Sequence, residues 1–121
     1  MKIPADALQL INKKKLQSAK IYDGKREDID FKLKEMRGWD FTSLDLSEIF
    51  FYNCIIDGSI FRKANLRDCK FIQCTIENCN FSRAELAGAE FIQCRLENND
   101  FRNTNGEIKS TMSYCSNNVG Y

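Results

Sequence analysis

Phe71-Ile72-Gln73-Cys74-Thr75-Ile76-Glu77-Asn78-Cys79-Asn80-Phe81-Ser82-Arg83-Ala84-Glu85-Leu86-Ala87-Gly88-Ala89-Glu90-Phe91 places a large apolar residue at every fifth position: Phe71, Ile76, Phe81, Leu86, Phe91. Followed in both directions, the series gains Phe31, Met36, Phe41, Leu46, Phe51, Ile56, Phe61 and Leu66 on one side, and Leu96 and Phe101 on the other. Phenylalanine and an aliphatic residue alternate throughout it. Eight of the nine phenylalanines lie in the series, and only Phe50 stands outside. A period of five matches neither the 3.6 of a helix nor the 2 of a flat strand. It matches a backbone that turns a corner every five residues.

A second row lies two residues upstream: Ile49, Cys54, Ser59, Ala64, Cys69, Cys74, Cys79, Ala84, Ala89 and Cys94. These side chains are mostly small. Each five-residue unit is therefore expected to point one large and one small side chain inward. The other three positions carry mainly lysine, arginine, aspartate, glutamate, asparagine and glutamine.

Ala64-Asn65-Leu66-Arg67-Asp68 and Ala84-Glu85-Leu86-Ala87-Gly88 resemble the unit Ala-(Asp/Asn)-Leu-x-x of the pentapeptide repeat family. The resemblance covers about residues 29 to 105. It implies an all-β solenoid, a right-handed quadrilateral β-helix with four units per coil. A four-unit coil requires a super-period of 20. Phe51-Tyr52-Asn53-Cys54, Phe71-Ile72-Gln73-Cys74 and Phe91-Ile92-Gln93-Cys94 recur at that interval, as do Ile76-Glu77-Asn78 and Leu96-Glu97-Asn98. The alternation then puts phenylalanines on two opposite walls and aliphatics on the other two. About four coils at one inter-strand spacing each give a rod about 18 Å long.

The chain has 121 residues, enough for one domain with one modest core. Lysine plus arginine total 18 and the acids 17, a net charge of +1 that argues for neither direct nucleic-acid contact nor an anionic membrane. There is no histidine, which excludes histidine-based triads and histidine metal ligands. No phosphate-cradling glycine loop occurs, and the carboxylates sit outward on a regular rod. No enzyme, cofactor or metal site is expected.

A solenoid exposes its core at both ends and needs caps. Residues 4 to about 14 read as a short helix covering the first coil. Pro4 suits its first turn, and Lys13, Lys14 and Lys15 suit its carboxyl end. Its apolar stretch is interrupted by Asp6, Gln9 and Asn12, so it reads as neither signal peptide nor membrane span, and the chain reads as cytoplasmic. Asp23-Gly24-Lys25 reads as a turn into the first coil, where Lys34 and Trp39 fit the small-residue row poorly. The organisation expected is a cap over 1–28, a β-helix over 29–105 and a tail over 106–121. The tail plugs the last coil, mediates an end-to-end dimer, or frays.

Five cysteines, 54, 69, 74, 79 and 94, fall in the small row and read as buried, reduced filler. Cys54, Cys74 and Cys94 should stack on one wall. Parallel side chains about 4.8 Å apart suit a disulfide poorly. Cys115 lies outside the row and is the expected reactive thiol.

The 20-residue register sorts the outer surface. One phenylalanine wall carries Tyr52, Ile72 and Ile92, with Phe50 beside them, an apolar ridge of the kind that marks an interface. The alternative is that Phe50, Ile55 and Ile60 are covered by the N-terminal segment. The next wall carries Asp57, Glu77 and Glu97 in one line, and the opposite phenylalanine wall carries Arg62, Lys63, Arg83 and Arg102. Each charged line is either a solvated face or a docking line for a surface of opposite sign.

Segments such as Cys79-Asn80-Phe81-Ser82-Arg83-Ala84-Glu85-Leu86 and Asp100-Phe101-Arg102-Asn103 are similar to stretches of the Qnr-type quinolone-resistance proteins. That resemblance implies a protein partner, DNA gyrase or topoisomerase IV, protected partly by imitation of duplex DNA. Qnr-type proteins are longer and carry loops that interrupt the repeat, whereas the register here is unbroken from Phe31 to Phe101. Duplex DNA carries one negative charge per about 1.7 Å, hence about ten over such a rod. Residues 29–105 hold 12 acids and 10 bases, a net of −2. Mimicry would therefore need a dimer or a longer assembly, and a homodimer through a coil end or the ridge is one such arrangement. The alternative is a general interaction or structural module, including a bacterial effector secreted into a host cell, with no topoisomerase role.

Overall fold

The computed structural model describes residues 3–16 and 31–120. The turn expected at Asp23-Gly24-Lys25 lies outside them. A single helix, α1 (Ala5–Leu16), is followed by ten short strands: β1 (Phe31–Lys32), β2 (Glu35–Arg37), β3 (Phe50–Tyr52), β4 (Ile55–Asp57), β5 (Lys70–Ile72), β6 (Thr75–Glu77), β7 (Glu90–Ile92), β8 (Arg95–Glu97), β9 (Lys109–Thr111) and β10 (Tyr114–Ser116). The odd strands stack into one parallel sheet and the even strands into another. Phe51 pairs with Phe71 and Phe71 with Phe91, while Ile56 pairs with Ile76 and Ile76 with Leu96. The coil is therefore 20 residues, and the β-solenoid of the sequence reading is the fold.

The four walls are not equivalent. The first, around Phe51 and Phe71, and the second, around Ile56 and Ile76, are strands. The third, around Phe61 and Phe81, and the fourth, around Leu46 and Leu66, hold only single bridges, such as Asp40 to Ile60 to Asn80 to Asp100 and Asp45 to Asn65 to Glu85. The cause is the residue just before the large inward one. In the third and fourth walls it is often Asp or Asn, whose side-chain oxygen accepts the backbone N–H two residues on. Thr42 donates to Asp40 at 3.0 Å, Ser47 to Asp45 at 3.1 Å, Arg67 to Asn65 at 3.1 Å, Ser82 to Asn80 at 2.9 Å and Arg102 to Asp100 at 3.0 Å. Such turns compete with a strand. In the first two walls that position holds Phe50, Ile55, Lys70, Glu90 or Arg95, which offer no such oxygen at that reach, or Thr75, whose hydroxyl makes such turns only weakly.

Every corner is a left-handed residue two positions after the large inward one. Asn53, Lys63, Gln73, Arg83, Gln93 and Asn103 take φ of 52, 59, 53, 60, 53 and 60°. Asparagine tolerates this region better than most residues and glycine best, which accounts for Asn53, Gly58, Asn78, Gly88, Asn98 and Asn103 at corners.

The core is one cluster. Phe51, Phe61, Phe71, Phe81, Phe91 and Phe101 have no exposed surface. The rings form two columns with stacked neighbours: Phe31, Phe51, Phe71 and Phe91 at 5.4, 4.5 and 4.9 Å, and Phe41, Phe61, Phe81 and Phe101 at 4.7 Å throughout. The columns meet edge to face, with Phe81 and Phe91 at 6.3 Å and 89°. Such contacts add to simple burial.

The small row does more than fill space. Its polar members bond the carbonyl 23 residues earlier, one coil down: Cys54 to Phe31, Ser59 to Met36, Cys69 to Leu46, Cys74 to Phe51, Cys79 to Ile56, Cys94 to Phe71 and Asn99 to Ile76. The small side chains thus tie successive coils together inside the tube, where a lone carbonyl would be costly.

At the start, Ala7 and Ile11 of α1 join the core cluster, with Ile3 and Leu10 packed against it. Trp39 also enters the core, 7% exposed and 6.0 Å from the Phe41 ring, so the first coil accepts its bulk. Lys34 turns out instead and pairs with Asp6 of α1 at 3.8 Å.

Pairing continues past Asn105 into a further, shorter coil. Phe91 faces Ser110 and Leu96 faces Cys115, an offset of 19. The large row ends there. Gly106 and Gly120 press their backbone onto the coil below, at φ of 92 and 73°. A Cβ on Gly106 would lie 2.5 Å from the Ala87 nitrogen, and one on Gly120 2.7 Å from that of Arg102. Phe91, Leu96 and Phe101 stay fully buried beneath this closing coil.

Candidate interaction faces

The first wall presents two outward columns. One runs Lys32, Tyr52, Ile72, Ile92, Thr111, and the other Phe50, Lys70, Glu90, Lys109. Tyr52, Ile72 and Ile92 are half-buried and adjacent. Phe50 is a correction to the ridge as read from sequence: it is 5% exposed, so it offers almost no surface although it points away from the tube. The Lys70 ammonium lies 5.8 Å above its ring and also pairs with Glu90 at 3.4 Å. The corner beside the ridge is stiffened by Gln73, which donates to Gln93 at 3.1 Å. Ile55, on the second wall, is 37% exposed and Ile60, on the third, half-buried.

Asp57, Glu77 and Glu97 form one column on the second wall. Sequence reading missed that cations flank it. Arg37 pairs with Asp57 at 2.9 Å. Arg95 pairs with Glu97 at 2.6 Å and reaches Glu77 at 4.0 Å, while its guanidinium lies 4.8 Å from the Tyr114 ring. Asn78 also donates to Asp57 at 3.1 Å. Each acid in the column therefore has a nearby cationic partner. The signal was present, because Arg37 lies one coil before Asp57 and Arg95 two residues before Glu97.

On the third wall Lys63 and Arg83 share a corner column one coil apart, with Arg62 and Arg102 in the neighbouring column, separated by Ser82. Arg102 is bound by Asp100 through Nη2 at 2.8 Å and Nε at 3.0 Å. This side-chain bond, then the neighbouring charge, raises the Arg102 pKa, and the same bond holds the Asp100 carboxyl below its usual value. Arg102 is thus held by a carboxylate of its own wall.

The thiols stack as the register requires. Contact with Cys54 and Cys94, and then burial, push the Cys74 thiol up. Burial pushes Cys79 up to about 12. All five small-row cysteines are buried thiols, and Cys115 is exposed. Among the described residues no group of three metal-ligating side chains converges, and no helix is long and apolar enough to cross a membrane.

Comparison with known proteins agrees with this geometry. The model of the pentapeptide repeat region matches residues 44–111. No curated relative matches the chain. Among solved structures, the pentapeptide repeat protein Rfr23 of the cyanobacterium Cyanothece 51142 superposes with a TM-score of 0.68 at 20% identity, over 73% of this chain and 61% of its own. Two trypsin-treated forms of QnrB1, a plasmid-mediated fluoroquinolone resistance protein, superpose at 0.63 and 0.57 with 26% and 25% identity. They cover 68% and 80% of this chain and 45% and 49% of theirs. The chain thus spans less than two thirds of each of these structures. With more than half its length matched by the family model and the 20-residue coil in place, this chain belongs to the pentapeptide repeat family.

Proposed function

We propose that this protein is a non-catalytic binding rod whose contact face is the outer surface of the first wall. One observation carries the reading: Tyr52, Ile72 and Ile92 stand on three consecutive rungs of a parallel sheet. No other outward column of the described walls holds three large apolar residues in succession. An apolar strip on a rigid, internally bonded support is suited to a protein partner. Ile72→Glu with Ile92→Glu tests it. The double variant keeps the circular dichroism of the parent and loses association, read by sedimentation and pulldown. Unchanged association discards the face.

Similarity to QnrB1 supports a second reading, binding to DNA gyrase or topoisomerase IV. The paired state of Asp57 and Glu97 weighs against mimicry of DNA by the acidic column, since Arg37 and Arg95 offset its charge. A supercoiling assay with and without quinolone decides it. No effect at micromolar protein removes the topoisomerase reading and leaves the general binding rod.

A further inference from the structure

The outer face of the first wall is self-complementary, and we infer that its occupant is a second copy of this chain, lying side by side and antiparallel. This rests on the reading of that face as the contact surface, and it adds the partner and the register.

Consider two copies facing each other across this wall, related by a two-fold axis that lies in the interface and runs across the rods. Such an axis keeps each column opposite itself and reverses its order. Placed midway between the rungs of β5 and β7, it sets Ile72 against Ile92 of the other copy. Tyr52 then meets Thr111. In the neighbouring column Lys70 meets Glu90 and Glu90 meets Lys70. No like charges oppose each other at these four central positions. The order Lys70, Glu90 in one column beside Ile72, Ile92 in the next produces this match. Lys70 and Glu90 already lie 3.4 Å apart within one chain, so the two pairs would close into a four-charge ring beside the apolar strip. An isologous interface needs this kind of self-matching pattern.

A shift of the axis by half a rung, which moves the other copy by one rung, destroys the match. With the axis on the β5 rung, Lys70 would face itself; on the β7 rung, Glu90 would. The opposite charges therefore disfavour both on-rung registers, and the midway one is where Ile72 also meets Ile92. The face is narrow, and four spacings of about 4.8 Å give it a length of about 19 Å. The area is below that of standard stable complexes, so association is weak and concentration-dependent.

The test is a charge swap read by sedimentation velocity over micromolar to millimolar protein. Wild type is expected to dimerise as concentration rises, and less so in high salt. Lys70→Glu alone and Glu90→Lys alone should each weaken the dimer at least tenfold, because like charges then meet across the axis. The double swap Lys70→Glu with Glu90→Lys should restore it. Thermal denaturation of each variant separates loss of fold from loss of association. A monomer at millimolar concentration overturns the inference, as does a dimer indifferent to both single substitutions. If the wild type stays monomeric while Ile72→Glu with Ile92→Glu loses a foreign partner, the contact face stands and only the self-pairing fails. If those substitutions change no association at all, both fail.

Discussion

Asn99 holds two coils together at once: its Oδ1 accepts the Cys79 N–H at 2.9 Å and its Nδ2 donates to the Ile76 carbonyl at 3.0 Å. It is 1% exposed, so neither backbone group has water as an alternative. Asn99→Ala should cost about 2–4 kcal/mol, because it strands a buried donor and a buried acceptor. Asn99→Ser should recover most of that. Ser59 makes the same two bonds two coils earlier, accepting from the Trp39 N–H at 3.1 Å and donating to the Met36 carbonyl at 3.0 Å. Urea unfolding of the two variants makes the comparison. Equal losses would mean that the bonds contribute little.

Phe71 sits between Phe51 at 4.5 Å and Phe91 at 4.9 Å, fully buried. Phe71→Ala leaves a cavity bounded by rings above and below. The expected loss is about 3–5 kcal/mol. Phe71→Leu should cost clearly less, since the aliphatic walls show that the tube accepts leucine. Chemical denaturation with unchanged m-values would check both.

Two glycines separate corner strain from steric overlap. Gly58, at φ of 66°, has open space where a Cβ would stand, whereas Gly106 has the Ala87 backbone at 2.5 Å. Gly58→Ala should cost about 1 kcal/mol, the strain of a left-handed alanine. Gly106→Ala adds overlap with backbone, for a total of about 2–4 kcal/mol. It should also raise amide exchange in the closing coil over residues 106–120. Equal melting temperatures for the two variants would show that the closing coil is not pressed onto its neighbour.

The buried thiols make the fold sensitive to alkali. Burial raises the Cys79 thiol from the ordinary value of 9.0 to about 12. Below 9.0 the thiol is protonated in both folded and unfolded chains, and its contribution is fully present. Between 9.0 and about 12 the unfolded chain loses the proton while the folded chain keeps it, so stability falls as pH rises through that window. Melting temperature should therefore drop above pH 9, and Cys79→Ala should make the drop shallower. Alanine is native to the same row at Ala64, Ala84 and Ala89. An unchanged slope would mean that Cys79 is not held in its neutral form.

Much of the architecture was written in one periodic row. Bulky residues from Phe31 to Phe101 carried the phase of the coil, and the 20-residue recurrence of Phe-x-x-Cys carried its circumference. The inequality of the walls was also legible, in Asp40, Asp45, Asn65, Asn80 and Asp100 against Lys70, Thr75, Glu90 and Arg95, although it takes turn chemistry to see it. The closing coil was not legible, because Gly106, Ser110, Cys115 and Gly120 include no bulky residue to mark the phase, and one residue is dropped before Lys109. On the surface, the register placed the columns correctly but not their neutralisation. The reach of Arg37 to Asp57 and of Arg95 to Glu97 depends on side-chain conformation. The burial of Phe50 likewise depends on what lies over the wall, which a five-residue period does not describe.

The claim beneath all of these is that residues 20 apart are neighbours on one wall. Aromatic NOEs in selectively phenylalanine-labelled protein test it directly. The Phe71 ring should show cross-peaks to the rings of both Phe51 and Phe91, whose centroids lie 4.5 and 4.9 Å away. A Phe71 ring that meets solvent, or that touches neither of those partners, would contradict the coil and with it the placement of every outer face.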